Sequence, residues 1–200
     1  MKLHYNPISP YARKAMIFAR IHGLDVLVVD AKADGIRGYT NGLNPLGKIP
    51  ALELDDGRVL FDSVVICDYF DSLSNTPLLS DDRDTRFSQK TLHALGDGLS
   101  DAVYNYRYEI AREETLHCAP MLERHTTAMV MGISHLNDII ETLGTGWSYG
   151  NIAIICALDY MTYRAPHVDW AGLSPALAIW HSAFKSEAAY VDSYAYPMAK

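Results

Sequence analysis

The sequence lacks the features that would place the protein in a membrane or direct it to secretion. Its first ten residues, MKLHYNPISP, contain no apolar core of the kind that a secretory signal needs. No run of about 18 apolar residues occurs. Cysteine is scarce: Cys67, Cys118 and Cys156 stand far apart, with no C-x-x-C pair. We therefore expect no membrane span, no disulfide framework and a location in the reducing cytoplasm.

Metal and nucleotide motifs are missing as well. The eight histidines show no H-E-x-x-H spacing, and there is no glycine-rich phosphate loop, so we expect neither a metal nor a nucleotide cofactor. The formal net charge of −7 argues against nucleic acid and anionic membranes as main partners. The rest is an ordinary globular composition, 49% hydrophobic and 20% charged. The apolar patterns around the three cysteines predict that each is a buried small hydrophobe.

The opening segment combines one strand with one helix. KLHY at residues 2–5 has the length of a short strand. Ser9-Pro10 then opens a helix over about residues 10–22, since serine is a favoured N-cap and proline is favoured in the first turn. Gly23 has the position expected of the residue that ends it. The pair Arg13-Lys14 stands on the side opposite to the apolar residues of this helix.

The next segments complete an α/β pattern. The apolar run DVLVVD at residues 25–30 predicts a strand covered on both faces. The polar segment 31–43 holds at most a short helix. Residues 51–62 predict a hairpin, because Asp56-Gly57 is a strong hairpin signal. Asp62-Ser63 then caps another helix. This order of elements predicts a compact α/β domain with a mixed sheet.

The stretch Asn44–Leu52, NPLGKIPAL, joins these parts with turn residues, one cation and an Ile-Pro bond. Pro45 and Gly47 mark a tight connection. Pro50 lacks a backbone donor, so it suits the first residue of a strand or a sheet edge. An X-Pro bond is also where a cis peptide costs least, about 0.5–1 kcal/mol. Taken alone, the stretch is either a loop-to-strand junction or a cis-proline turn that directs a backbone amide toward a ligand.

Beyond a linker rich in Ser, Asn, Thr, Pro and Asp, the signals are helical. Apolar residues recur at helical spacing over 92–110, and a second helical stretch covers about 118–143. Ser148 starts a helix that is apolar enough to be buried nearly all round. Ser174-Pro175 opens one more. The predicted organisation is an α/β domain at 1–75, a linker at 76–84 and an all-α domain at 85–200.

These segments together resemble the cytosolic glutathione S-transferase family, in its bacterial type with a serine at the thiol-activating position. The resemblance is carried by SPYARKAM, NPLGKIPALELDDG and DSVVICDYF in the first domain, and by SYGNIAIICALDYM and the terminal WHSAF…YAYP pattern in the second. It implies a thioredoxin-like N-terminal domain with a cis Pro50, an all-α C-terminal domain and a homodimer. It also implies a detoxifying transferase with glutathione as co-substrate and a small hydrophobic electrophile as second substrate.

Glutathione presents two carboxylates, an α-amino group and a thiol, and the first domain has a candidate partner for each end. Ser63, at a helix start, forms an anion site. By resemblance, this site would hold the γ-glutamyl carboxylate, and Asp62 could help orient the amino group. Lys48 would meet the glycyl carboxylate as a point charge. By resemblance, Ile49 and Pro50 would align the cysteinyl part. Without a ligand, the same residues are explained as a helix cap, a solvated lysine and a turn.

Ser9 is the candidate for activating the thiol. A free thiol has a pKa of about 8.5, and a hydrogen bond to a charged group, worth about 1.5–3 kcal/mol, would lower that pKa by about 1–2 units. A helix N-terminus acts in the same direction. Tyr5 and Tyr11 are alternative donors, because some family members use a tyrosine near the end of the first strand. The segment contains no cysteine, which disfavours the family branch that works through a mixed disulfide.

A candidate substrate pocket lies in the second domain. Asp97, Asp101, Tyr104 and Tyr108 recur along one side of a predicted helix. Asp101 and the two tyrosines, together with Tyr11, would form the pocket, since tyrosines can stack on an electrophilic aromatic substrate. Asp97 or Asp101 would reach the glutathione amino group or a dimer interface. A solvated helix face explains the stripe equally well.

The start of the buried helix, Ser148-x-x-Asn151, resembles the N-capping box of the family. The family's usual alanine and aspartate are replaced by Gly150 and Asn151, and glycine weakens a first helical turn, so we expect an effect on stability and not on catalysis.

Two other functions fit the candidate site. One is a non-catalytic binding or regulatory protein of the stress type on the same fold. The other is a glutathione-dependent isomerase or lyase.

Overall fold

The computed structural model describes residues 1–31, 43–194 and 196. These described residues form two compact units, one from Met1–Ser80 together with the segment that begins at Ala188, the other from Asp81–Glu187. Apart from Ala31 and Leu43, the polar segment predicted to hold at most a short helix lies outside the described residues. Each unit is considered by itself below.

The first unit is built on a mixed sheet of four strands, in the order β2-β1-β3-β4. The strands β1 and β2 are parallel, whereas β3 is antiparallel to both β1 and β4. Leu3 and Leu52 face each other across β1 and β3, and both are fully buried. The strands are β1 (Lys2–Tyr5), β2 (Leu27–Asp30), β3 (Ala51–Glu53) and β4 (Val59–Leu60). This arrangement confirms the predicted thioredoxin-like domain, including the hairpin that turns at Gly57, where φ is 84°.

Eight α-helices occur in the described residues, three of them in the first unit. Ser9 caps the first helix as predicted, and Gly23 follows its end with φ of 62°. The first helix packs against the second and the eighth. The helices are α1 (Pro10–Ile21), α2 (Ser63–Ser72), α3 (Arg83–Ile110), α4 (Ala119–Asp138), α5 (Tyr149–Arg164), α6 (Trp170–Leu173), α7 (Pro175–Ser182) and α8 (Ala188–Ser193).

Two expectations about the first unit are wrong. The strand β2 lies at the edge of the sheet and is not covered on both faces, since Leu27 is 61% exposed and Val28 39%. The pair Arg13-Lys14 does not form a solvated face, because both side chains are almost fully buried, at 0% and 1% exposed. An apolar run and an amphipathic pattern therefore gave the wrong environment for these residues, although the elements themselves are where they were predicted.

All regular secondary structure of the second unit is helical, which confirms the predicted all-α part. Two short 3-10 helices, Glu114–Leu116 and Ile140–Thr142, lie between its longer helices. The helix α5 begins at its Ser148 cap, and every residue from Tyr149 to Met161 is buried, as its apolar sequence predicted. Of the three cysteines, Cys67 and Cys156 are buried, but Cys118 is exposed at the start of α4, so the expectation of three buried cysteines is wrong there.

The departures from the family's capping box have structural reasons. A Cβ at Gly150 would lie 2.6 Å from the Leu92 Cβ, so glycine lets α5 approach α3. The Asn151 amide donates to the Leu143 carbonyl at 2.7 Å and to the Gly146 carbonyl at 3.2 Å. An ionised aspartate only accepts hydrogen bonds and would make neither contact. Both residues therefore suit this particular helix start.

No described helix combines the length and the apolar character needed to cross a membrane.

Candidate functional site

Ser9 lies in a turn that the preceding asparagine builds. The Asn6 side chain accepts from the Ile8 amide at 3.0 Å, and the Ser9 amide donates to the Asn6 carbonyl at 3.0 Å. The Ser9 Oγ accepts from the Ala12 amide at 3.2 Å, which makes it the N-cap of α1. A serine hydroxyl has two lone pairs and one proton, so this cap leaves the proton available for a further acceptor.

The two alternative donors stand in different surroundings. Tyr5 is 8% exposed, and its hydroxyl donates to the Ser193 carbonyl at 3.5 Å. Tyr11 is half-buried in the first turn of α1. The Tyr5 hydroxyl is therefore already directed at a backbone acceptor, whereas Ser9 is half-buried at the start of α1.

Strand pairing brings the Ser9 turn and the loop before Pro50 to the same end of the sheet. His4 of β1 pairs with Ala51 of β3. Because β1 and β3 run in opposite directions, the end of β1, which leads to Ser9, lies beside the start of β3, which follows Pro50. The Ile49–Pro50 peptide bond is cis, which confirms that prediction.

The loop before Pro50 is held by the side chain of Asn44. No separate role was predicted for this residue. Its Oδ1 accepts from the Leu46 amide at 2.9 Å, and its Nδ2 donates to the Lys48 carbonyl at 3.1 Å. Gly47 has φ of 61°, a conformation that glycine adopts without strain. The Lys48 side chain is exposed. The Asn-Pro dipeptide is the sequence signal that would have pointed to Asn44.

The third part is the start of α2, where Asp62 is the N-cap. Its Oδ1 accepts from the Val64 amide at 3.0 Å and from the Ser63 hydroxyl at 2.9 Å. Ser63 is 3% exposed, so its hydroxyl is turned toward Asp62 and not toward solvent. Its backbone N–H lies at the first helical position, where the helix itself supplies no acceptor. The peptide bond between Phe61 and Asp62 is cis as well, without a sequence signal for it.

The pKa of the Asp62 carboxyl lies below its ordinary value. Partial burial opposes this shift, but the Val64 amide, the Ser63 hydroxyl and the positive charge of Lys14 together favour the carboxylate more strongly. Lys14 is 1% exposed, so its charge is less screened than that of a surface lysine. No sequence pattern points to Lys14, because a Lys on a helix normally indicates a solvated face.

We expect Asp62→Asn to remove part of the pH dependence of folding. The pKa of Asp62 is lower in the folded chain, so its carboxylate stabilises the fold fully above the unfolded pKa of about 4, and this is lost as the pH falls through the folded pKa. Asparagine caps a helix about as well as aspartate but carries no charge. Between about pH 6 and pH 3, the free energy of unfolding from urea titration should fall less in the variant, by under about 1 kcal/mol, since the carboxyl is partly exposed. Equal falls would contradict this assignment.

In the second unit, the predicted stripe lies along α3. Tyr104 and Tyr108 are 41% and 62% exposed, and their ring centroids are 4.4 Å apart. Asp101 is exposed, and an Asp97 oxygen lies 3.6 Å from the His93 Nε2. The four residues therefore follow one side of α3, with the exposed tyrosine pair toward its C-terminal end. Within the described residues, no group of three or more His, Cys, Asp or Glu side chains is arranged to hold a metal ion.

Comparison with known proteins identifies the family. Residues 8–73 match the model of the glutathione S-transferase N-terminal domain. A glutathione transferase family member from Pseudomonas fluorescens Pf-5, crystallised with bound glutathione, is 34% identical, with a TM-score of 0.92 over 96% of this chain and 97% of that chain. A glutathione S-transferase from Methylobacillus flagellatus KT, also with glutathione bound, is 32% identical, with a TM-score of 0.89 over 96% of this chain and 98% of that one.

A relative from Escherichia coli K12 carries the name "Uncharacterized GST-like protein YibF". It is 28% identical over an aligned length of 185 residues, and the match covers 88% of this chain and 90% of that protein. With a relative above 30% identity matched over nearly its whole length, the chain belongs to the glutathione transferase family.

Proposed function

We propose that the protein is a glutathione transferase whose first unit binds glutathione and activates its thiol. The observation that carries this proposal is the placement of three elements. The Ser9 turn and the cis Pro50 loop lie at the same end of the two central strands, and the buried Lys14 of α1 acts on Asp62 at the start of α2. Relatives above 30% identity that were crystallised with glutathione support the choice of ligand.

Glutathione matches the donors and acceptors of these elements. The Ser63 backbone N–H and the α2 dipole would receive the γ-glutamyl carboxylate. A carboxylate accepts at about four positions, so Asp62 can take the α-amino group at Oδ2 while Oδ1 caps the helix. The Ile49 backbone would pair with the cysteinyl part, and the exposed Lys48 with the glycyl carboxylate. The tripeptide would thus lie across all three elements with its sulfur toward Ser9.

Ser9 is the proposed activator of the thiol. Its Oγ accepts from the Ala12 amide, and its proton would be donated to the sulfur, which favours the thiolate. A bond of about 1.5–3 kcal/mol to a charged acceptor lowers the thiol pKa by about 1–2 units. Tyr5 is the weaker candidate, because its hydroxyl donates to the Ser193 carbonyl. In conjugation, the thiolate attacks the electrophilic carbon, an S–C bond forms, and the leaving group departs with its electron pair.

The second substrate is proposed to be a small hydrophobic electrophile. The aromatic stripe of Tyr104 and Tyr108, with Asp101 beside it, is exposed and suits stacking against a planar substrate. We further propose that the protein is a homodimer and is located in the cytoplasm.

We expect Lys48→Met to weaken glutathione binding without affecting turnover. Lys48 is exposed, so its attraction to the glycyl carboxylate is screened by salt. The KM for glutathione should rise by about 2–5-fold at low ionic strength and by less at high salt, while kcat changes little. Lys185→Met, at an exposed lysine of the second unit, is the matched control and should leave KM unchanged. A KM for Lys48→Met equal to that of the wild type would remove Lys48 from the site.

Two assays test the proposed function together. Calorimetric titration measures glutathione binding, and an activated chloronitroarene reports conjugation by its change in absorbance. Binding with conjugation supports a transferase. Binding without conjugation favours the alternatives, a binding or regulatory protein or an isomerase or lyase with another second substrate. No binding at millimolar glutathione would overturn the proposal.

A further inference from the structure

The C-terminal segment of the first unit packs against the turn that carries Ser9. The helix α8 contacts α1, and two hydrogen bonds connect this segment to the chain before Ser9. The Tyr5 hydroxyl donates to the Ser193 carbonyl at 3.5 Å, and the Tyr196 hydroxyl donates to the Ile8 carbonyl at 3.3 Å. Because the Ile8 carbonyl belongs to the peptide group that leads into Ser9, the second bond acts directly on the backbone that orients Ser9.

Arg13 anchors the same segment one helical turn after Ser9. Its guanidinium carbon lies 4.7, 5.1 and 5.8 Å from the ring centroids of Tyr190, Tyr194 and Tyr196, which we call the tyrosine clamp. These distances are within the range of about 6 Å at which a cation is attracted to an aromatic ring. Arg13 is 0% exposed, so these contacts are desolvated. Desolvation strengthens the attraction between a cation and an aromatic ring.

Neither the clamp nor Arg13 is needed to explain why α1 forms. The helix already has its Ser9 cap and its proline at the first position. What the clamp adds is a fixed position of the Ile8–Ser9 peptide relative to the sheet. A hydroxyl that must both cap a helix and donate to a sulfur tolerates little displacement, since small misplacements of a reacting group cost large factors in rate.

We propose that Tyr196 is a positioning residue for the thiol-activating serine and that Arg13 holds the tyrosine clamp in place. This inference rests on the proposed function, because it assigns to Tyr196 a role in the step that Ser9 performs. Tyr196 acts only through the Ile8 carbonyl and is not a catalytic residue itself.

The test is Tyr196→Phe, which keeps the ring over Arg13 and removes only the hydroxyl that reaches Ile8. In the enzyme with bound glutathione, kcat near pH 7 should fall by about 2–8-fold, and the pKa in the pH profile of kcat should rise by about 0.5–1 unit. The KM for glutathione should change by less than about twofold. Tyr69→Phe, at a half-buried tyrosine of α2 in the same unit, is the matched control and should leave the profile unchanged.

A second measurement follows the turn itself. Amide hydrogen exchange at Ser9, Ala12 and Arg13 should be faster in Tyr196→Phe than in the wild type, while the amides of α2 keep their rates. An unchanged pH profile, or unchanged exchange at the Ser9 turn, would overturn the role of Tyr196. If Ser9→Ala still lost turnover in that case, the proposed function would stand without it. A wild-type protein that does not bind glutathione would overturn both.

Discussion

Replacing Ser9 by alanine should lower kcat for glutathione conjugation by about 8–25-fold near pH 7, because the thiolate fraction falls by that factor when the thiol pKa rises from about 6.5–7.5 to about 8.5. Without the hydroxyl, the pKa of the bound thiol returns toward about 8.5, so less thiolate is present. Affinity for glutathione should change by less than about threefold, because the carboxylates and the amino group are bound elsewhere. At high pH the variant should regain much of its rate, since the thiol then ionises unaided.

The same substitution also removes a helix cap, and the two effects must be separated. The Ser9 Oγ accepts from the Ala12 amide at 3.2 Å, and loss of such a cap costs about 0.5–2 kcal/mol of stability. Ser148 offers a matched control, because its Oγ accepts from the Asn151 amide at the same distance of 3.2 Å in the second unit. Ser148→Ala should lose stability and keep its pH profile. If Tyr5→Phe, and not Ser9→Ala, raised the pKa of the thiol, the assignment of Ser9 would be wrong.

The largest effect on stability is expected for Gly96→Ala. A Cβ at Gly96 would lie 2.5 Å from the Ala153 carbonyl carbon and 2.7 Å from the Ile154 amide nitrogen. These are backbone atoms of the buried helix α5, so the clash can be relieved only if α3 and α5 move apart. Overpacking of a core costs about 1–3 kcal/mol, and a clash with backbone belongs at or above the upper end of that range.

Gly98→Ala is the control on the same helix. Nothing lies within 4 Å of a Cβ at Gly98, so alanine should stabilise the helix by about 0.4–1 kcal/mol. All three tryptophans, Trp147, Trp170 and Trp180, belong to the second unit, so tryptophan fluorescence during urea unfolding reports on that unit. Gly96→Ala should lower the unfolding midpoint strongly and Gly98→Ala should raise it. Equal midpoints for the two variants would contradict the close approach of α3 and α5.

The sequence predicts the elements of the first unit well, because their signals are local. A serine followed by proline, an Asp-Gly turn and an Ile-Pro bond each constrain a few adjacent residues. The confirmed N-cap at Ser9, the turn at Gly57 and the cis bond before Pro50 all follow from such signals. Burial is less predictable, because it depends on where an element lies in the sheet. The strand β2 is apolar and yet forms an edge.

The contacts around the candidate site could not be found from the sequence. Lys14 and Arg13 are buried by groups distant in the chain, Lys14 near Asp62 and Arg13 among tyrosines beyond residue 188. No local pattern predicts such pairs, and a Lys or Arg on a helix ordinarily indicates solvent. The close approach of α3 and α5 is likewise tertiary. A glycine within a helix costs stability by itself, so only the neighbouring helix explains why Gly96 and Gly150 are there.

The most direct test of the central claim is the pKa of the glutathione thiol bound to the wild-type protein, followed by the ultraviolet absorbance of the thiolate as a function of pH. The account predicts saturable binding and a thiol pKa of about 6.5–7.5, which is 1–2 units below the value of about 8.5 for the free thiol. In Ser9→Ala the pKa should return to within about half a unit of the free value. A bound thiol that titrates like free glutathione in the wild type, or no binding at millimolar glutathione, would contradict the account.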